Sequence, residues 1–254
     1  MIATGADGCG DPRQEWIMQL LCQADANILE LETDVVDARP GAVLLAQSPG
    51  FPGGGGQLAD VMRLQWAKGE AAIAGMTPDP RGWWHSFEGE TEISGRVRVL
   101  VDPGFRRLMC ELHTLAHVTN AVVFRAFGGA LLTGAQLSAD GTFRVDFDLP
   151  GSDADRLRAL AGSINDEIRA NHPVRAFHMP WDSAAVVPGL FRSKNVSPPR
   201  QADGNVRIVE IGEMDRQGCG GTHLASTGEA RPVRILKVDN KGRQNRRVVV
   251  GFDA

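Results

Sequence analysis

The sequence has no run of eighteen apolar residues, so no membrane-spanning helix is expected. Its opening stretch, MIATGADGCGDPRQEW, carries acids and no apolar h-region, so no signal peptide is expected. Cysteine is scarce. Cys9, Cys22, Cys110 and Cys219 are scattered without pairing rhythm, which predicts a reduced, cytoplasmic protein whose useful thiols do metal or redox work. Basic charge is not in excess: Lys+Arg number 27 against 31 Asp+Glu, a net charge of -4. That disfavours a nonspecific nucleic-acid binder. There is no internal repeat, and no low-complexity tract beyond Gly53–Gly56. Two motifs are also missing. No Glu follows the first His of His113-Thr114-Leu115-Ala116-His117, so the H-E-x-x-H metalloprotease pattern is absent. The glycine run lacks the Gly-Lys-Ser/Thr ending of a phosphate-binding P-loop.

What is present describes an ordinary soluble protein, with 43% hydrophobic and 23% charged residues. At 254 residues the chain can bury a full core and hold two domains. Charge is uneven. Between Arg231 and Arg247 stand seven basic residues and one acid, a local balance of +6.

Residues 1–14 read as disordered. From Glu15 to Val101 short β-like runs, Ala42–Gln47, Ala71–Gly75 and Val97–Val101, are separated by turn-formers. The turn-formers are Arg39-Pro40-Gly41, Thr77-Pro78-Asp79-Pro80 and Glu88-Gly89-Glu90. Asp25–Asp37 alternates weakly and could be a strand. This region, 15–102, predicts a small antiparallel β-barrel or sandwich. Asp102-Pro103-Gly104 then opens the clearest helix, Pro103–Phe127, with Asp102 as cap and Gly128-Gly129 as stop. Leu108, Leu112, Leu115, Thr119, Val122 and Ala126 form its buried stripe, and His113 and His117 flank it at the edge of a core. Thr142–Phe147 alternates as a strand. Ser152–Asn171 reads as a second helix with a Ser152…Asp155 near-capping box. Pro180–Pro199 reads as irregular. Strands Val206–Ile211, Pro232–Val238 and Arg246–Gly251 close an α+β region from 103 to 254.

The chemistry concentrates in two short motifs. His113 and His117 differ by four residues, about 40° of helical rotation, so both rings leave one face. Cys219-Gly220-Gly221-Thr222-His223 places a thiol and an imidazole four apart, where glycines permit close approach and positive φ. Together they offer three His and one Cys, a set suited to tetrahedral Zn²⁺. By ligand count alone the set describes a closed structural shell, whereas a catalytic site keeps one position open. His85, His172 and His178 read as ordinary polar residues. Phe51-Pro52-Gly53-Gly54-Gly55-Gly56-Gln57 is either a flexible hairpin tip or a backbone surface for a ligand, with Gln57 as a directional amide. The basic run is either a solvated strand face or a grip on phosphates.

The set of motifs resembles a known family. H-x-x-x-H with a later D-x-x-x-C-G-G-T-H, here Asp215 to His223, is similar to the editing domain of alanyl-tRNA synthetase and its free-standing relatives, the alanyl-tRNA editing proteins. Threonyl-tRNA synthetase carries a similar module. The glycine run followed by Asp60, Trp84-His85 with Val99–Asp102, Arg144-Val145-Asp146-Phe147, Thr227-Gly228-Glu229 and Asn240–Arg247 extend the likeness across most of the chain. Gly53 departs from it where the family commonly has Glu, and Glu229-Ala230-Arg231 replaces a more usual Glu-Ile-Gly.

The resemblance implies a two-domain, free-standing trans-editing hydrolase. A β-barrel domain with its Gly-rich loop (15–102) would precede a zinc-binding editing domain (103–254). The implied substrate is mischarged tRNA(Ala), seryl and also glycyl, cleaved at the ester. His113, His117, Cys219 and His223 are the implied Zn²⁺ ligands. Thr133 falls near the family's threonine hydroxyl and Gln57 would complete the pocket from the barrel domain; no unambiguous general base is visible, and Asp146 and Asp215 are the candidates. Lys241, Arg243, Arg246 and Arg247 are the expected RNA contacts. Two rival readings stand beside this one: an RNA-binding module with structural zinc, and a zinc hydrolase of small esters or amides.

Overall fold

The computed structural model describes residues 19–79, 81–151, 154–194, 198, 200–201 and 203–253. The expected disordered stretch 1–14, Pro80 of the second turn and the Ser152 cap lie outside the described residues. The chain is α+β, as expected, and its first half builds a closed antiparallel barrel.

A two-residue strand β1 (Gln19–Leu20) leads into a 3-10 turn at Leu21–Gln23. β2 (Glu30–Arg39), β3 (Ala42–Leu45), a short β4 (Gln47–Ser48), β5 (Met62–Trp66), β6 (Gly69–Asp79), β7 (Gly82–Phe87) and β8 (Arg96–Val101) follow. The barrel runs β2-β3-β7-β6-β5-β8 and closes on itself, while β1 pairs with β4. Its interior holds Val43, Leu45, Leu64, Val97 and Val99. Alternation along β8, out-in-out-in, fills it from one side of each strand. Thr77-Pro78-Asp79 is not a turn. It belongs to β6, with Pro78 facing Trp83 of β7. β5 and β7 were not visible as strands because Trp, Gln, His and Ser interrupt their apolar pattern.

Helix α1 (Pro103–Ala126) begins where expected: the Asp102 carboxylate accepts from Phe105 N–H at 2.7 Å. Gly128 and Gly129 stop it in left-handed conformation. The remaining sheets surround it. β9 (Leu132–Leu137), β10 (Thr142–Asp148), β14 (Val233–Lys241) and β15 (Asn245–Phe252) form one sheet in the order β14-β15-β10-β9. β11 (Val174–Pro180), β12 (Asn205–Ile211) and β13 (Asp215–Gly218) form another. The expected single second helix is two: α2 (Ala154–Arg158) and α3 (Ala161–Arg169), ended by Asn171 at φ +54°. A short α4 (Trp181–Ala185) interrupts the stretch read as irregular.

One expectation is corrected in kind. α1 is not at the edge of a core; every residue from Met109 to Val123 is buried. The sheet of β9 and β10 covers one side, α3 another and β13 a third. A helix apolar on one stripe and polar on another can be buried all round when the polar groups meet partners. His113 and His117 meet such partners.

Candidate metal centre

Two elements carry the four candidate ligands. α1 carries His113 and His117, and the turn after β13 carries Cys219 and His223. The structure brings them together: one ligand atom from each lies within 4.8 Å of every other, and all four residues are buried. Cys219 Sγ stands 3.5 Å from His113 Nε2 and 3.4 Å from His223 Nε2. Zn–S and Zn–N bonds of about 2.3 and 2.0–2.1 Å require tetrahedral edges of about 3.3–3.6 Å. The imidazole rings are tilted at 39°, 52° and 90° to one another, so they converge on a point and do not stack.

Gly218 and Gly221 of the turn work by space alone. Gly218, Gly220 and Gly221 are absent from the left-handed positions, contrary to the expectation of positive φ. A Cβ on Gly221 would stand 2.1 Å from His113 Cε1 and 2.7 Å from Gln57 Oε1. One on Gly218 would stand 2.6 Å from Pro198 Cγ.

A second ring of residues sets the imidazole tautomers. Gln57 Oε1 accepts from Thr222 N–H at 3.0 Å and lies 2.7 Å from His113 Nδ1. Gln57 Nε2 donates to Thr222 Oγ1, which fixes the amide's orientation. His113 Nδ1 therefore carries the proton and donates. His117 Nδ1 donates to the Asp215 carboxylate at 3.0 Å. His223 Nδ1 meets Thr114 Oγ1 at 3.3 Å. That hydroxyl also accepts from Leu224 N–H. His113 and His117 thus turn Nε2 toward the centre, and the Thr114 hydroxyl, with a lone pair to spare, can accept from His223 Nδ1 in the same sense, the arrangement a bound metal needs. The donor set fits Zn²⁺.

Electrostatics agree. Burial pushes the Cys219 thiol up, but His113, His223 and His117 outweigh it and hold the thiol well below its ordinary value. Burial and the neighbouring His113 push His223 down to about 3, so it stays neutral. Burial opposes charge on His117, yet the Cys219 thiolate and Asp215 hold it up at about 10. Proton and metal compete there for one lone pair.

The Gly-rich loop reaches this centre from the barrel. Gly53, Gly54, Gly55 and Gly56 all have φ between +61° and +120°, a course that side chains would strain. Gly56 O accepts from Leu137 N–H of β9 at 2.8 Å. Asp60 accepts from Phe51 N–H and from the buried Arg106 of α1, pinning the loop to the helix. Gln57, 3% exposed, points inward at His113.

The other sequence-read residues lie elsewhere. Thr133 is the extra residue of a β-bulge between β9 and β10, where Asp146 faces Gly134 and Phe147 faces Leu132. Asp146 alternates with the buried Val145 and Phe147, so it faces away from α1. Its oxygens are taken by Arg144 and Arg247. Arg246 is on the inner face, 8% exposed. Lys241 and Arg243 are exposed at the β14–β15 hairpin tip. Much of the basic run is neutralised within the chain, through Arg231–Glu111, Lys237–Asp239 and Arg247–Asp146.

Sequence reasoning missed Thr114, Thr222, Arg207 and Gln23. Thr114 stands inside the H-x-x-x-H motif and Thr222 inside C-G-G-T-H. Arg207 left a signal too, a lone cation in the apolar strand Val206–Ile211. Gln23 left none.

A closed antiparallel barrel joined to a helix and turn that assemble three His and one Cys defines a class, the aminoacyl-tRNA editing modules. The family described as threonyl and alanyl tRNA synthetase second additional domain matches residues 206–249, which include Cys219 and His223. The chain is 31% identical over 230 residues to alanyl-tRNA editing protein AlaX-M of Saccharolobus solfataricus, covering 88% of this chain and 94% of that protein. It is 30% identical over 235 residues to the AlaX-M protein of Methanosarcina mazei, covering 88% and 92%. Against the alanine–tRNA ligase of Korarchaeum cryptofilum it is 30% identical over 223 residues, 86% of this chain but 24% of the ligase. The chain belongs to the family of alanyl-tRNA editing proteins.

Proposed function

We propose that this chain deacylates mischarged tRNA(Ala) in trans, cutting the ester between the amino acid and the terminal ribose. Seryl-tRNA(Ala) is the main substrate and glycyl-tRNA(Ala) a second. The observation that carries the reading is the convergence of His113, His117, Cys219 and His223 with each Nδ1 already engaged. The names of its relatives, alanyl-tRNA editing proteins, supply the substrate class.

Zn²⁺ held by these four side chains would supply Lewis acidity toward an ester carbonyl or an attacking water. The chain's own residues do the positioning. Gln57, Asp215 and Thr114 fix the three imidazoles. Thr133, on the bulge beside the Gly-rich loop, offers a hydroxyl to the seryl side chain, since a positioned hydrogen bond discriminates better than size. Lys241 and Arg243 contact tRNA phosphates. The working division is a barrel domain, 15–102, that supplies Gln57, and an editing domain, 103–254, that supplies the ligands. The protein acts in the cytoplasm; among the described residues no helix is long and apolar enough to cross a membrane.

The test is deacylation of seryl-, glycyl- and alanyl-tRNA(Ala) by purified protein, with and without chelator. Seryl ester should be cleaved fastest and alanyl ester spared. Chelation should abolish turnover and Zn²⁺ restore it. Four buried protein ligands favour one other reading, a structural metal in an RNA-binding module. Metal-loaded protein that cleaves none of the esters would decide for it.

A further inference from the structure

Arg207 of β12 is buried, 6% exposed, and its hydrogen bonds go to the main chain. Nε donates to Gln23 O at 3.0 Å. Nη1 donates to Cys219 O and to Gly221 O, each at 2.9 Å. The Gln23 side chain returns the contact, donating from Nε2 to Gly220 O at 3.1 Å. Three consecutive carbonyls of the ligand turn, at residues 219, 220 and 221, are therefore each held by a side-chain donor.

A buried guanidinium is costly to desolvate, and at Arg106 the Asp60 carboxylate offsets that cost. Arg207 meets no carboxylate among the described residues. The Cys219 thiolate is a charge near it, while burial pushes the Cys22 thiol up to about 12 and keeps it neutral. Charge-assisted bonds to carbonyls are strong and directional. The two from Arg207 set the 219–220 and 221–222 peptide planes, and the Gln23 amide sets the 220–221 plane between them. Cys219 Cα, and so the direction of Sγ, follows from those planes.

We propose that Arg207 and Gln23 form a clasp that aims Cys219 at the metal centre, making Arg207 a positioning residue for metal binding. This rests on the metal reading above. It also means that the segment before the barrel, through Gln23, takes part in building the centre.

The experiment uses full-length protein and Co²⁺, whose thiolate-to-metal absorption reports the cysteine bond itself. Affinity is read by competition with a chromophoric chelator. Arg207→Met should keep the side chain's bulk, lose all three donations, and weaken metal binding about 10- to 100-fold, with a diminished or shifted thiolate band. Arg207→Lys, which can reach one carbonyl, should fall between. Gln23→Ala removes one donor and should weaken binding severalfold. It carries the test if Arg207→Met does not fold. A purely structural role would lower the melting temperature and leave the affinity and band of the folded variants unchanged, which overturns the clasp alone. A wild-type chain that takes up no Co²⁺ overturns the metal reading, and the clasp with it.

Discussion

His85 and Gln57 show how burial decides what a polar side chain does. His85 is fully buried in the barrel, with Nε2 2.9 Å from Ser48 Oγ. That hydroxyl also accepts from Gly50 N–H. Burial pushes His85 down to about 4 from 6.5. Between those values the unfolded chain takes up a proton that the native ring refuses. Stability is therefore full above about pH 6.5 and falls as pH drops toward 4. The loss reaches about 3 kcal/mol below the folded value. Urea titrations of wild type and His85→Gln at pH 7.5 and 4.5 should show the variant losing less. Equal losses would remove His85 from the account. At Gln57 the expected change is in metal affinity. Gln57→Leu strips the acceptor from His113 Nδ1 and from Thr222 N–H, and should weaken Zn²⁺ binding by about 10- to 100-fold. Gln57→Glu keeps an acceptor for both donors and should retain most of the affinity in chelator competition.

At the scale of elements, the glycine loop can be tested against the strand it rests on. Gly56 has φ +88°, and a Cβ there would stand 2.5 Å from Ala135 O of β9. Gly54 has φ +120° but meets nothing within 4 Å. Gly56→Ala should therefore destabilise by more than the roughly 1–2 kcal/mol that left-handed strain alone costs, and Gly54→Ala by about that much. Urea midpoints decide it; matching values would mean the loop does not depend on its seat. α1 was legible end to end because cap, first-turn proline and terminal glycines are local signals, all met. So was the grouping of His113, His117, Cys219 and His223, which the fold brings within 4.8 Å of one another, because the two motifs together carry a signal that neither carries alone. The strands β9, β11 and β13 were not. Each lacks an apolar alternation of its own and is a strand because a neighbour pairs with it. The burial of α1 was invisible for the same reason. Asp146 read as a candidate base because a motif names a residue and not the face it occupies.

At the scale of the whole molecule, the proposed function asks a chain of net charge -4 to hold a polyanion. The run from Arg231 to Arg247 cannot act as seven free cations, since Arg231, Lys237 and Arg247 are paired within the chain and Arg246 is turned inward. Lys241, the last paired residue of β14, and Arg243 of the turn stand exposed at the hairpin tip. A protein that neutralises a phosphate releases counterions, steepening the logarithmic salt dependence of binding by about 0.9 per contact on duplex. Lys241→Ala with Arg243→Ala should therefore flatten that slope by about 1–2 and weaken tRNA binding without sequence preference. Arg247→Ala should act differently. It leaves the Asp146 carboxylate with Arg144 alone, a cost to stability and to local potential, and removes no counterion-releasing contact. Filter binding of aminoacyl-tRNA from 50 to about 200 mM salt separates the two. If the slope is unchanged in the double variant and flattens in Arg247→Ala, the tRNA lies across the outer face of the sheet and not at its tip.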